Sequence, residues 1–139
     1  MSAFYRVLQW LFILILLSTS WGKLLDNSGF AGVIGTYRLG IPEHYLLPLA
    51  LTVSLVELFF AIRLYMEKQQ LLNAWALVLI HAGYLSLAAI TLLRGIALQN
   101  CGCFGVFLAR PLTQQVLVED SVLTALALLF VWVVKRLDK

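Results

Sequence analysis

Four long apolar stretches divide the chain, and polar or charged residues gather between them. These stretches cover residues 4–21, 45–66, 71–93 and 119–136. A helix of ~20 apolar residues crosses the hydrocarbon core of a bilayer, so each stretch is long enough to span it once. The chain is also 62% hydrophobic and only 12% charged, which is outside the range of soluble domains. The pattern predicts an all-α integral membrane four-helix bundle, with residues 1–139 forming one domain.

The first span resembles a signal peptide, because Arg6 precedes an apolar run. No Ala-x-Ala-like cleavage pattern follows that run, so we expect a retained transmembrane helix. The first loop, residues 22–44, is long for a bare connection. Its apolar residues recur at spacings of three or four, which predicts a helix lying on the membrane surface; they are Phe30, Val33, Ile34 and Tyr37.

Spans two and three are joined by a short connection, residues 67–70, and should pack as an antiparallel hairpin. Each carries one polar group near mid-membrane, Glu57 and His81. A carboxylate at that depth is costly and needs a partner in the bundle interior. We therefore expect a Glu57–His81 hydrogen bond, with Lys23 as the rival partner. Such a pair could carry protons for quinone or dithiol chemistry, or could only fix the helix register.

The distribution of positive charge predicts the orientation of the bundle. Six Lys and Arg residues lie in the two terminal segments and the second loop, and four lie in the first and third loops. The positive-inside rule then puts both termini in the cytoplasm and the third loop, residues 94–118, outside. We expect the inner (cytoplasmic) membrane of a bacterium, with this loop in the periplasm. The net charge of +3 is small and gives no indication of nucleic-acid binding.

Both cysteines of the chain lie in the third loop, within Asn100-Cys101-Gly102-Cys103-Phe104-Gly105. Thiols separated by one residue can form a disulfide only if the residue between them takes an unusual backbone conformation, which glycine permits. A bond under such strain is easily reduced, so the motif favours an exchanging disulfide over a structural one. Disulfides persist outside the cytoplasm, in agreement with the predicted orientation.

The residues around the cysteines have two interpretations each. Arg94 and Arg110 flank the motif and could lower a thiol pKa, or could anchor the helix ends at the membrane interface. Gly102 and Gly105 fit a backbone turn. Phe104 could shield the sulfurs or form a wall of a quinone site, or could simply pack at the membrane edge.

Other functions for the cysteine pair are open at this stage. Two cysteines lack the second pair that a four-ligand zinc site needs, so no metal site is predicted. Two soft ligands could nevertheless handle Cu(I). In a different class of function, the short-looped bundle would be an accessory subunit of a larger membrane complex, and the motif would shape a docking loop.

In order and spacing, nearly the whole chain resembles the MauE/DoxX family, specifically its methylamine-utilisation branch. The most specific part of the match is the Asn100–Gly105 motif after Arg94-Gly95. The other matching residues are Trp21-Gly22-Lys23-Leu24, Val56-Glu57-Leu58, Arg110-Pro111-Leu112 and Glu119-Asp120.

The resemblance implies a bundle like that of vitamin K epoxide reductase and a role in thiol–disulfide chemistry at the outer membrane face. It implies support for disulfide formation in periplasmic enzymes, often beside a thioredoxin-like partner, with quinone as a possible electron acceptor. The chain departs from the reductase pattern because it has no Cys-x-x-Cys and no second cysteine pair. Either quinone meets Cys101 and Cys103 directly, or another protein supplies the missing step. Whether the chain is a complete enzyme is open.

Overall fold

The fold is known from a computed structural model that describes residues 2–139, and every regular element in that range is an α-helix. In chain order the helices are α1 (Ser2–Leu25), α2 (Asn27–Thr36), α3 (Glu43–Tyr65), α4 (Gln70–Leu93) and α5 (Gln114–Leu137). All except α2 are long and apolar enough to cross a membrane. The predicted all-α bundle with four membrane spans is therefore confirmed.

Two span boundaries differ from the prediction by a helical turn or more. α1 continues to Leu25, so Lys23 lies in its last turn rather than in the first loop. Asp26 then starts α2, because its side chain accepts a hydrogen bond from the backbone N–H of Gly29 at 2.8 Å. α5 begins at Gln114 rather than near residue 119. Glu119 and Asp120, the first residues of the predicted span, therefore lie in its second turn.

The outward faces of the four long helices are apolar. Leu79 and Leu93, for example, are 73% and 88% exposed. Exposed side chains of this kind suit hydrocarbon rather than water, so these faces contact lipid. Other exposed residues of this class are Val7, Leu14, Leu17, Leu51, Leu55, Phe59, Ile62 and Val122.

The helices pack mainly as two pairs, α4 with α5 and α1 with α3. The prediction that α3 and α4 pack as a hairpin is wrong, because these two helices contact each other far less than the helices of either pair do. The short connection contains Glu67 and Gln69 in the left-handed region, with φ of 56° and 50°, and it redirects the chain. Small buried residues, which let helix axes approach closely, include Ala61, Ala74 and Ala127.

The bundle has two different halves. The half that holds both chain ends has an apolar core contributed by all four long helices; we call it the core half. Its buried residues include Phe12, Leu77 and Phe130. The opposite half contains α2, the cysteine loop and the adjoining helix ends; we call it the cysteine half.

The apolar stripe of α2 packs against protein rather than facing outward, and the location of α2 at the membrane surface stays a prediction. Phe30 is buried against Ala50 of α3, and Val33 contacts both α3 and the cysteine loop. Tyr37, at the end of α2, is buried beside Cys101. The spacing that indicated an amphipathic helix was correct, but α2 buries its apolar face as a cover for the cysteine loop.

Candidate functional site

The cysteine motif forms a tight turn held by its own polar groups. The Gly105 N–H donates to the Gly102 carbonyl at 3.2 Å, and both glycines have a φ of 75°. Asn100 braces the turn from inside: its side-chain oxygen accepts from the Gly102 N–H at 2.9 Å, and its side-chain nitrogen donates to the Gly105 carbonyl at 3.1 Å. Glycine is needed at both positions because L side chains rarely adopt this φ. The predicted turn role of Gly102 and Gly105 agrees with this geometry.

The turn brings the two sulfurs together. The Sγ atoms of Cys101 and Cys103 lie 2.6 Å apart, with both residues as free thiols. Because the Cys103 thiol and the Cys103 N–H both donate to the Cys101 sulfur, the pKa of Cys101 falls to about 6. The same hydrogen bond, together with burial, raises the pKa of Cys103. Cys101 is therefore the thiolate of the pair near neutral pH, and Cys103 keeps its proton.

The end of α1 packs directly against the cysteine turn. A Cβ atom added to Gly22 would overlap the Phe104 carbonyl, and one added to Gly105 would overlap the Gly22 carbonyl. Two glycines therefore face each other, backbone to backbone, where α1 meets the turn. This close approach positions Lys23, the next residue of α1, under the cysteine turn.

A buried cluster of Lys23, Glu57 and Tyr84 lies beneath the turn. The Lys23 Nζ is 2.7 and 2.8 Å from the two Glu57 carboxylate oxygens and 2.9 Å from the Tyr84 hydroxyl. Tyr84 donates to Glu57 in turn. All three Lys23 donors are used, and both charged side chains are at least 98% buried. The cluster therefore satisfies the requirement that a buried charge be paired and hydrogen-bonded.

The expected Glu57–His81 hydrogen bond is wrong. His81 Nδ1 is 2.8 Å from the Leu77 carbonyl one turn earlier on the same helix, and the His81 ring packs edge-on against Phe12. Lys23, the rival partner, binds Glu57 instead because α1 is one turn longer than we predicted. His81 still lines a cavity together with Glu57.

The two arginines that flank the motif have different roles. Arg94 donates to the carbonyls of Tyr37 at 2.9 Å and Arg38 at 2.8 Å, so it ties α4 to the segment after α2. Arg110 forms a two-pronged ion pair with Glu119, at 2.8 and 2.9 Å. The positive charge of Arg110 also contributes to the low pKa of Cys101. Arg94 thus contacts protein backbone, and its anchoring at the membrane interface stays a prediction; thiol activation by Arg110 also stays a prediction, which its charge near Cys101 supports.

Two cavities meet at Cys103. One, of about 140 Å³, lies under α2, and its lining includes Lys23, Phe30, Tyr37 and both cysteines. The other, of about 90 Å³, extends toward the middle of the bundle, and its lining includes Glu57, His81, Phe104 and Arg110. The residues that line both are Tyr84, Cys103, Val116 and Asp120. The Cys103 side chain can therefore be reached from either side.

The sequence prediction missed several residues of this site. Tyr84 was not predicted as a site residue, although a tyrosine hydroxyl in a mostly apolar span indicates a buried polar contact. Tyr37 was counted only as part of an apolar stripe, yet its hydroxyl donates to the Cys101 carbonyl. Gly22 and Asp120 entered the sequence analysis only as members of matching motifs, because their importance comes from contacts with distant parts of the chain. Among residues 2–139, no group of three or more His, Cys, Asp or Glu side chains could hold a metal ion.

Comparison with known proteins gives a consistent result. The family described as "Methylamine utilisation protein MauE" matches residues 1–133. The "Methylamine utilization protein MauE" of Paracoccus denitrificans is 32% identical over 118 residues, which cover 83% of this chain and 61% of that protein. The chain thus spans about three-fifths of the length of this relative. No solved structure matches the chain significantly.

Proposed function

The chain belongs to the MauE family, and from this premise we propose that it is a membrane thiol–disulfide redox protein with Cys101 and Cys103 as its reacting groups. The observation that carries the proposal is the 2.6 Å separation of the two sulfurs in a turn that Asn100 and two glycines hold in shape. The second support is the division of protonation states, with a thiolate at Cys101 and a thiol at Cys103. Exchange chemistry requires one nucleophilic sulfur and one that completes the reaction.

In the direction that oxidises a partner, the pair starts as a disulfide. A partner thiolate attacks one sulfur, so the disulfide of the pair breaks and a mixed disulfide forms. The second partner thiolate then attacks the mixed disulfide and leaves with a new disulfide of its own. Two electrons pass from the partner to the pair; one of the two protons lost by the partner ends on Cys103, and the other goes to solvent because Cys101 leaves as a thiolate.

The family and the placement of the site support the proposed class of partner. The name of the Paracoccus relative refers to methylamine utilization. We propose that this chain supports disulfide formation or maturation of a periplasmic enzyme of that process, directly or through a thioredoxin-like protein. The cysteine turn lies at the end of the bundle opposite the chain termini, where a partner outside the membrane can approach it.

The proposed location is the bacterial inner membrane, with both termini in the cytoplasm and the cysteine turn in the periplasm. The buried position of Lys23 supports this orientation, because a residue paired inside the bundle does not count as loop charge. The cysteine end then has only three loop cations, Arg38, Arg94 and Arg110. The other end has six Lys and Arg residues, so the difference in positive charge between the two ends is larger than in the count from the sequence. The positive-inside rule therefore favours this orientation more strongly.

Quinone is the proposed electron acceptor for the reduced pair. The cavity of about 140 Å³ beside the sulfurs fits this class of molecule, because most of its walls are apolar and few polar groups face it. Both cysteines line it, so a quinone head group bound there would lie beside the reacting sulfurs. A quinone there would supply a sink for two electrons and two protons.

The redox state of the pair in membranes tests the proposal. Membranes are equilibrated at a series of thiol potentials and quenched with acid, and free thiols are then labelled with a heavy maleimide. We expect a reversible two-electron transition between about −120 and −270 mV. The chain has no other cysteine, so the doubly substituted Cys101→Ser/Cys103→Ser protein is a control that takes no label.

A trapping experiment tests the division of roles. Cys103→Ser leaves the proposed attacking sulfur and should accumulate a mixed disulfide with an oxidised partner, whereas Cys101→Ser should not. Thiols that remain reduced at every potential would exclude redox cycling. The motif would then be a structural turn, and copurification with a larger membrane complex would be the next test.

A further inference from the structure

Formation of the Cys101–Cys103 disulfide removes the proton of Cys103, whose thiol has a raised pKa. Cys101 is the thiolate of the pair, but Cys103 is a thiol in a half-buried, mostly apolar position. When Cys103 attacks a disulfide bonded to Cys101, its proton must leave. An acceptor close to this sulfur would therefore speed the closing step.

Most carboxylates near Cys103 are already occupied. Both oxygens of Glu57 accept hydrogen bonds from Lys23, and one also accepts from Tyr84. Both oxygens of Glu119 are held by Arg110. A proton placed on either group would break an existing ion pair, which makes both poor acceptors.

Asp120 differs from both of these. Within residues 2–139 its carboxylate has no hydrogen-bond or ion-pair partner, although the side chain is half-buried. It lies one turn after Val116 on α5, so the two side chains share a face, and both line the two cavities that meet at Cys103. The negative charge of Asp120 also contributes to raising the pKa of Cys103, which places it within electrostatic reach of that sulfur.

We propose that Asp120 accepts the Cys103 proton in the step that closes the Cys101–Cys103 disulfide. The inference rests on the proposed thiol–disulfide function and adds a proton acceptor to it. With oxidised glutathione as the disulfide, the Cys101 thiolate first forms a mixed disulfide and releases one glutathione thiolate. Cys103 then loses its proton to Asp120 and attacks the Cys101 sulfur. The second glutathione leaves as a thiolate, and the proton passes to it or to solvent.

Several other titratable or charged groups face this region and enter its pH dependence. They come from every element packed around Asp120: Lys23 of α1, Tyr37 after α2, Glu57 of α3, His81 and Tyr84 of α4, Cys101, Cys103 and Arg110 of the loop, and Glu119 of α5. Because Lys23 and Glu57 neutralise each other and Arg110 is paired with Glu119, Asp120 is the carboxylate among them without a counter-ion.

The test follows the closing step itself. The reduced full-length protein in detergent is mixed with oxidised glutathione, and mass spectrometry follows the mixed disulfide and the closed form. We expect Asp120→Asn to accumulate the mixed disulfide and to close about 100-fold more slowly at neutral pH, the size typical of a lost general base. Attack by Cys101 should change little. Asp138→Asn, at an exposed position after α5, is the matched control and should behave as wild type.

The pH profile separates proton transfer from a structural effect. If hydroxide replaces the carboxylate, the Asp120→Asn rate should rise about tenfold per pH unit and approach the wild-type rate at high pH. Asp120→Glu should recover part of the rate. Asp120→Ser, with the same expected defect as Asp120→Asn, serves if that variant does not fold.

The outcomes distinguish the two proposals. A wild-type protein that forms no mixed disulfide and no closed form overturns the thiol–disulfide function, and the role of Asp120 with it. A wild-type protein that closes, with an Asp120→Asn variant that closes equally fast, overturns the role of Asp120 alone. A slower variant whose pH profile runs parallel to that of wild type also overturns it.

Discussion

The core half and the cysteine half of the bundle differ in what they bury. In the core half, Phe12 and Phe130 pack among aliphatic side chains, and Tyr5 stacks on Phe130 with ring centres 5.6 Å apart. In the cysteine half, a lysine and a glutamate are buried together, and two cavities adjoin the thiols. The core half is filled mainly by apolar contacts, with Gln9 and Asn73 buried among them, and the cysteine half keeps a buried ion pair and open space.

The difference indicates a division of labour within one small bundle. Apolar packing in a membrane protein needs no partner of specific chemistry, so many side chains can substitute for one another. Each buried polar group in the cysteine half needs a particular partner at hydrogen-bond distance. Lys23 shows this most clearly, because Glu57 and Tyr84 take up all of its donors. We expect substitutions in the core half to change stability without changing the thiol chemistry, whereas substitutions in the cysteine half can change both.

The largest expected effect comes from breaking the buried ion pair. Lys23→Met leaves the Glu57 carboxylate buried without its cation, and we expect a loss of about 3–5 kcal/mol in the free energy of unfolding. Denaturant unfolding in detergent micelles measures it. Because removing both charges leaves no buried ion, Lys23→Met combined with Glu57→Gln should be more stable than the single variant. A single variant as stable as wild type would contradict the buried pair.

A substitution in the core half should affect stability but not the thiols. Leu77→Ala removes a fully buried side chain, and we expect a loss of about 2–5 kcal/mol. Leu79→Ala, two residues later on the lipid-facing side of the same helix, is the matched control and should cost much less. The redox midpoint of the cysteine pair should stay at the wild-type value in both. A shifted midpoint in Leu77→Ala would mean that the two halves are coupled.

The backbone contact between α1 and the cysteine turn leaves no room for a side chain at Gly105. Gly105→Ala adds a Cβ atom that overlaps the Gly22 carbonyl, at a φ of 75°. We expect about 1–3 kcal/mol of strain from the backbone conformation, with a further cost from the overlap. Gly95→Ala is the control, because Gly95 has a similar φ of 70° and nothing within 4 Å of the added atom. Unfolding measurements that give equal losses for both variants would argue against the close contact.

The smallest expected effect concerns the charge near Cys101. Because its pKa is lowered to about 6, the thiolate fraction, and with it the rate of Cys101 alkylation, should be nearly constant above neutral pH. Below pH 6 the rate should fall about tenfold per pH unit, since only the thiolate reacts. Arg110→Gln removes a positive charge that stabilises the thiolate. We expect the pH at which the alkylation rate is half-maximal, the midpoint, to rise by about 0.5 unit.

Mass spectrometry of the alkylated protein assigns the reacting cysteine in that experiment. Cys103→Ala removes the main hydrogen-bond donor to the Cys101 sulfur and should move the midpoint further than Arg110→Gln does. Arg94→Gln is the control for arginine loss, because Arg94 binds the carbonyls of Tyr37 and Arg38. A midpoint near 9 in the wild-type protein would contradict the assignment of Cys101 as the thiolate.

The shape of the cysteine motif could be predicted from the local sequence. The Cys-Gly-Cys spacing, with glycine at positions 102 and 105, predicts a turn with adjacent sulfurs from local geometry alone, because every atom involved lies within six residues. The partner of Glu57 could not be predicted in the same way. The predicted depth in the membrane made both His81 and Lys23 reasonable partners for Glu57. Which of them binds Glu57 depends on how α1 and α4 are rotated about their axes and on how far α1 extends.

By itself the sequence determined the all-α class and the four membrane spans, and it singled out Cys101 and Cys103 as the candidate site. Hydrophobic length and local spacing carry that information, since each depends on residues close together in the chain. Only the tertiary structure decided that α1 pairs with α3 and α4 with α5, that α2 covers the cysteine turn, and that Lys23 binds Glu57. These features depend on helix rotation and axial offset, and many distant contacts fix both together without leaving a pattern in any one segment.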